Sequence, residues 1–152
     1  MAIVSDSGPL IALERIQQLP ILPRLFGQIL VPPAVQREFG STLRALDWLV
    51  IQPPSGPPRL ATLDVSLGAG EREALELSLQ IGAARLLVDD KAARKVARTL
   101  HLPIVGTLGL LLAAKRRGLL PGVRPCLDAL RKASFHMTAD LYRRVIKEAG
   151  EG

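Results

Sequence analysis

Short apolar runs alternate with amphipathic stretches along this chain, and the alternation predicts most of its elements. The first run, Ala2-Ile3-Val4, ends within two residues on Asp6 and then on Ser7-Gly8-Pro9. A buried strand ending on an acid and turn-forming residues carries a carboxylate to the edge of a sheet. A helix follows with Pro9 near its start, where proline is tolerated, and Asp6 can equally be read as its cap. Ile21 to Phe26 predicts a short second helix after Pro20, stopped by Gly27. Gln28 to Val31 predicts a second strand, ended by Pro32-Pro33, and Ala34 to Phe39 a helix of a turn or two. Trp48 to Ile51 reads as a third strand, and Pro53 to Pro58 as a loop, the best candidate in the chain for a mobile or nicked segment. Gly70-Glu71 opens a helix running to about Ile81, with Glu71, Ala74, Leu75 and Ser78 on one face. Arg85 to Val88 is a fourth strand, ended by Asp89-Asp90. In the next helix Ala92, Ala93, Val96, Ala97 and Leu100 form the buried stripe, with Lys91, Arg94, Lys95 and Arg98 opposite. Pro103 to Gly106 predicts a fifth strand, and Thr107 a cap for a helix over Leu108 to Arg116 that Gly118 ends. Asp128 to Lys132 lies in another helix. Thr138 caps the last one, whose Leu141, Tyr142, Val145 and Ile146 are placed to dock on the body.

Near-continuous apolar strands alternating with helices indicate an α/β fold with a mostly parallel sheet covered on both faces. With the strand order 3-2-1-4-5, the first and fourth strands are neighbours where the winding reverses. Ligands in such sheets bind just outside the carboxyl ends of the strands at that point. Asp6 and the Asp89-Asp90 pair both fall there.

Composition narrows the picture. The 152 residues fit one domain, 1–152, and with 48% hydrophobic but only 3% aromatic residues its core is aliphatic. No apolar run reaches the roughly 20 residues a membrane span requires, and Asp6 and Glu14 interrupt the place of a leader's apolar stretch. A lone cysteine, Cys126, excludes an internal disulfide and an all-cysteine metal site. The expectation is a soluble, cytoplasmic protein without membrane partners. Charge is divided unevenly: residues 1–90 hold 7 basic and 10 acidic side chains, residues 91–152 hold 13 and 4. Acids at strand ends and a basic second half suit cations and a polyanion such as nucleic acid.

Carboxylates gathered at one sheet edge repel one another and call for a cation. Oxygen ligands without His or Cys favour Mg²⁺ or Mn²⁺ over zinc. Glu38 and Glu71 are the best candidates to complete the set, each on a helix facing the same edge. Each also has an ordinary reading, Glu38 as an exposed helix residue and Glu71 as a favourable charge at a helix N-terminus. One of Asp89 and Asp90 can be the cap of the helix that follows. Glu14, Glu73 and Glu76 are expected to be solvated.

The ordered motifs V-S-D-S-G-P-L-I (4–11), V-P-P-A-V-Q-R-E-F (31–39), G-A-G-E-R-E-A-L (68–75), L-L-V-D-D-K-A-A-R (86–94) and G-T-L-G-L-L (106–111) resemble the PIN-domain family over nearly the whole chain. They are similar to a branch of small prokaryotic PIN proteins akin to the VapC-type toxins. The resemblance implies a three-layer α/β/α sandwich, metal-dependent ribonuclease activity, an antitoxin partner and a homodimer. Carried over by position, the family's acids fall on Asp6, Glu38, Glu71 and either Asp89 or Asp90. Asp90 is preferred as ligand, with Asp89 behind it. Two departures are visible: Glu rather than Asp at 71, and Val88-Asp89-Asp90 in place of a Thr and an Asp separated by one residue.

Asp6, Glu38, Glu71 and Asp90 would then hold Mg²⁺ or Mn²⁺ for hydrolysis of an RNA phosphodiester, with the Ser7 hydroxyl orienting Asp6 or a metal-bound water. Lys91, Arg94, Lys95 and Arg98, with Lys115 in the patch Lys115-Arg116-Arg117, are candidates to hold phosphates. His101 and His136 are read as lying away from the motifs, and the low aromatic content as not supporting recognition of stacked bases. The Leu108 to Leu112 helix and the second helix can each be a dimer face or core. The alternative of a different class is a PIN-like module that binds nucleic acid or a partner without cutting. A phosphotransfer enzyme is disfavoured because Asp6-Ser7-Gly8 lacks a second Asp two residues on, and neither a Walker loop nor a G-x-G-x-x-G turn is present.

Overall fold

The computed structural model describes residues 1–40, 46–60 and 66–152. Five strands, β1 (Ile3–Ser5), β2 (Ile29–Val31), β3 (Leu49–Ile51), β4 (Arg85–Leu87) and β5 (Ile104–Val105), pair in the order β3-β2-β1-β4-β5. All four pairings are parallel, with Val4 opposite both Leu30 and Leu86, and Leu86 opposite Ile104. The helices among the described residues are α1 (Ser7–Arg15), α2 (Ile21–Phe26), α3 (Pro33–Phe39), α4 (Ala69–Ile81), α5 (Lys91–Thr99), α6 (Thr107–Arg116), α7 (Arg124–Lys132) and α8 (Ala139–Glu148). The α/β/α arrangement and the strand order expected from the sequence are both present.

Two cores follow from the two-residue period of the strands. Ile3, Ile29, Val31 and Leu87 point to one face and pack with Leu10 and Leu13 of α1, Leu22 of α2 and Leu110 and Leu111 of α6; helices α7 and α8 close that layer. Val4, Leu86 and Val88 point to the other face and meet Leu75 of α4 and Val96 and Ala97 of α5. Val145 and Ile146 of α8 are buried as expected, with Leu141 and Tyr142 packed behind them. Leu110, Leu111 and Leu112 of α6 and Ile21 and Leu22 of α2 belong to this core, with Leu108, Leu25 and Phe26 partly buried against it. No helix among the described residues is long and apolar enough to cross a membrane.

Three local expectations need correction. Helix α1 starts at Ser7 rather than at Pro9, which sits third, where its missing N–H is one of the helix's unpaired donors anyway. Thr107 is the first helical residue of α6, and Gly106 holds the cap position in extended geometry. Ala92 is exposed and Arg94 half-buried, so the stripe of α5 is turned slightly from the expected one. The 53–58 loop is tethered: the Ser55 N–H donates to Gln80 Oε1 at 2.7 Å.

Candidate active site

The carboxyl ends of β1 and β4 bring the acids together. The Asp6 N–H donates to Leu87 O at 2.9 Å, extending the β1–β4 ladder one residue past the strand and fixing the Asp6 backbone. Its side chain is 3% exposed. Although Asp6 occupies the cap position of α1, its carboxylate makes no capping bond, and Oδ1 is buried with no hydrogen-bond partner among the described residues. The capping reading of Asp6 therefore fails, and an unpartnered buried oxygen remains to be explained.

Glu38, at the end of α3, and Glu71, in the first turn of α4, supply the neighbours. One carboxylate oxygen from each of Asp6, Glu38 and Glu71 lies within 4.8 Å of the other two. The Ser7 hydroxyl donates to Glu38 Oε2 at 2.8 Å, so its partner is Glu38 rather than Asp6. Burial pushes the Asp6 carboxyl up to about 7; the Ser7 amide opposes this, and the Glu71, Glu38 and Asp90 charges add to it. A folded site that holds three carboxylates against their own repulsion fits a hard divalent cation. Oxygens on opposite sides of a Mg²⁺ are about 4.2 Å apart, and the three carboxylate oxygens here fall within 4.8 Å of one another.

Two glycines make room for this cluster. A Cβ on Gly70 would lie 2.1 Å from Glu38 Oε1, and one on Gly68 would lie 2.6 Å from Glu71 Oε2. The carboxylate of Glu38 thus rests against the bare start of α4, which also carries a favourable partial positive charge. Gly70→Ala is expected to leave the unfolding midpoint within a few degrees, because only the mobile end of a side chain must move. It should weaken Mn²⁺ binding about tenfold or more in calorimetry, and unchanged affinity would show that Glu38 takes no part.

The pair after β4 divides its roles. Asp90 caps α5, its Oδ2 accepting from the Ala93 N–H at 2.9 Å, and it is the member whose charge is felt at Asp6. Asp89 turns the other way: Oδ1 accepts the Thr107 N–H at 2.7 Å and Oδ2 the Thr107 hydroxyl at 2.6 Å. Both oxygens of Asp89 serve the buried start of α6, and the three-carboxylate cluster does not include it. Asp89→Ala would strand two buried donors of Thr107 and should lower unfolding free energy by about 3 kcal/mol. Asp90→Ala, which removes one cap, should cost about 1 kcal/mol. Urea titrations of the two variants compare these costs directly, and an equal loss would contradict this division.

The other charged candidates are distributed as follows. Lys91, Lys95 and Arg98 are exposed along α5. Arg94 instead lies half-buried beside the site, one guanidinium N–H donating to Val88 O at 2.8 Å. Burial, helped by Arg98 and opposed by Asp89, lowers its pKa. Lys115 is engaged within the fold, its ammonium bonding Glu151 at 2.8 Å and also Ala149 O. Lys115, with the Val123 amide, holds the Glu151 carboxyl down to about 2.

Glu14 is exposed as expected, but Glu73 and Glu76 are not free in solvent. Glu76 is 5% exposed and accepts from the Leu60 N–H. Glu73 accepts from the Ala34 N–H at 3.1 Å and faces Arg37 at 3.8 Å, tying the start of α3 to α4. His101 is exposed beyond α5. His136, expected to lie apart, lines the clefts on either side of Asp89.

Comparison with known proteins adds one positive finding. A family model described as a PIN domain matches residues 2–151, almost the full length of the chain. No curated protein matches.

Proposed function

The chain belongs to the PIN-domain family, and from that premise we propose that it is a single-domain, Mg²⁺- or Mn²⁺-dependent endoribonuclease. The observation that carries this reading is the convergence of Asp6, Glu38 and Glu71 around a buried Asp6 oxygen that no group among the described residues satisfies. Asp90 stands beside them as the fourth acid, supported by its charge acting on Asp6.

A bound divalent ion supplies a Lewis acid and a water of lowered pKa at the phosphodiester under attack. Asp6 and Glu71 contribute oxygens from rigid element ends, and Ser7 fixes the rotamer of Glu38 through its hydroxyl. Neither histidine lies among these acids, so no imidazole base is assigned. Lys91, Lys95 and Arg98 stand on the helix leaving the site, where exposed cations add salt-dependent affinity for the backbone of RNA. RNA as substrate, a homodimer and pairing with an antitoxin rest on the motif resemblance. Growth arrest on expression of the wild type, but not of a Glu38→Gln protein, would test the toxin role.

The deciding experiment is incubation of a mixed RNA pool with Mg²⁺, Mn²⁺ or EDTA. Cutting is expected with either ion, none with EDTA, and about a hundredfold less with Glu38→Gln. A second reading, binding without cutting, is favoured by the cluster itself, which gathers three acids and leaves Asp90 outside it as the cap of α5. Metal binding without cleavage by the wild type would select it.

A further inference from the structure

Beside the acids, on the side away from α3 and α4, two clefts of about 450 Å³ and 380 Å³ open at the sheet edge. Both are lined by Asp89, Phe135 and His136. Arg94 lines the first and Arg15 the second, together with Gly8, two residues along the chain from Asp6. The α7–α8 connection forms this wall. Ser134 adopts a positive φ of 67°, and the Phe135 N–H returns to Leu130 O at 2.9 Å. Phe135 is thereby held half-buried, and the exposed His136 follows it.

Phe39 is buried in the core, and Phe26, Trp48, Phe135 and Tyr142 pack against it. Of these rings it is Phe135 that also lines both clefts. Charge complementarity says what the clefts accept. The Asp89 carboxylate is occupied by Thr107 on both oxygens. Arg94 has one N–H on Val88 O and, with five donors in its fork, others to offer. Arg15 and His136 add further donors. The rest of the lining is largely apolar, with Val105, Leu108 and Leu141 in the first cleft and Ile11 and Leu130 in the second. An apolar floor with a partly buried ring and arginines at its rim matches one nucleotide, its base on the apolar side and its phosphate on the arginines.

We infer that the paired clefts about Asp89, Phe135 and His136 are a subsite for one unpaired nucleotide of the RNA strand, leading away from the acidic cluster. The inference rests on the nucleic-acid reading above but not on cleavage. A protein that binds RNA without cutting would use the same subsite.

The test measures binding, by fluorescence anisotropy of a labelled mixed-sequence single-stranded RNA in Mg²⁺. The parent carries Asp6→Asn so that nothing is cut. Phe135→Leu, which keeps an apolar side chain under the loop but removes the ring, should weaken binding about five- to a hundredfold. Phe135→Tyr should bind as the parent does, and His136→Gln, at an exposed position that cannot unfold the protein, should weaken binding about threefold or more. Equal binding by the parent and both the Phe135→Leu and His136→Gln variants would overturn the subsite, as would equally tight binding of a fully paired RNA duplex. Failure of the nuclease reading appears separately, as an uncut pool in the cleavage assay with wild-type protein.

Discussion

Asp6→Asn protein is expected to lose roughly a thousandfold in metal-dependent cleavage and yet to unfold later than the wild type in EDTA at pH 8. The two effects have one cause. The Asp6 carboxylate is 3% exposed, has an unpartnered oxygen and faces the charges of Glu71, Glu38 and Asp90. Its pKa rises from an ordinary 3.8 to about 7 on folding. Between those values the metal-free native state binds more protons than the unfolded chain, so stability falls as pH rises from about 4 to about 7 and is level above. A rise from 3.8 to about 7 corresponds to roughly 4 kcal/mol of stability missing at pH 8. Asparagine does not ionise, and its amide can donate to the neighbouring carboxylates. It should recover a substantial part of that energy, seen as a rise of several degrees in the EDTA melting temperature. Excess Mg²⁺ should reverse the order, because only the wild type gains from the ion. A variant less stable than wild type in EDTA at pH 8 would mean that Asp6 is not held under electrostatic strain.

The course of the chain through its strands was legible because the strands are short and largely apolar, and the central strand β1 is buried along its whole length. The run Arg85 to Val88 ends on Asp89-Asp90 much as the run through Val4 ends on Asp6, and neighbouring parallel strands bring those ends to one edge. What resisted reading depends on partners remote in sequence. Glu73 and Glu76 lie off the Glu71–Leu75 face, which on an isolated helix means solvent. Here that side of α4 meets the backbone N–H groups of Ala34 and Leu60, which need acceptors. Lys115 belongs to a basic run, but Glu151, 36 residues on, closes over it. Thr107 reads as a helix cap because Thr caps helices. In the fold the Asp89 carboxylate does what a cap would do, accepting the first N–H of α6 from across the sheet edge. The place of His136 and Phe135 depends on how the α7–α8 connection turns back toward Asp89, and no period in residues 133–138 announces it. Arg94 is the one intermediate case. Helical spacing sets it opposite the apolar stripe, but it is close enough to the strand end for its side chain to reach Val88 O.

Affinity for Mn²⁺ should rise about tenfold per pH unit from pH 5 to about 7 and level off above. An ion at the cluster competes with the proton that Asp6 retains, because burial and its acidic neighbours hold that carboxyl up to about 7. Below that pH each ion bound must displace a proton; above it the site is already ionised. Calorimetry in two buffers of different ionisation enthalpy counts those protons directly. Release of about one per ion at pH 6 and close to none at pH 8 is expected, and no release at pH 6 would remove Asp6 from the ligand set. Glu71→Gln separates this linkage from simple loss of a ligand. The Glu71 charge is the largest of the three carboxylate contributions raising Asp6, so its removal should move the knee of the curve below 7 while lowering the plateau affinity. A lower plateau with an unmoved knee would show that Glu71 binds the ion without acting on Asp6. A moved knee with the plateau intact would show the reverse, a charge that tunes the site without holding the metal.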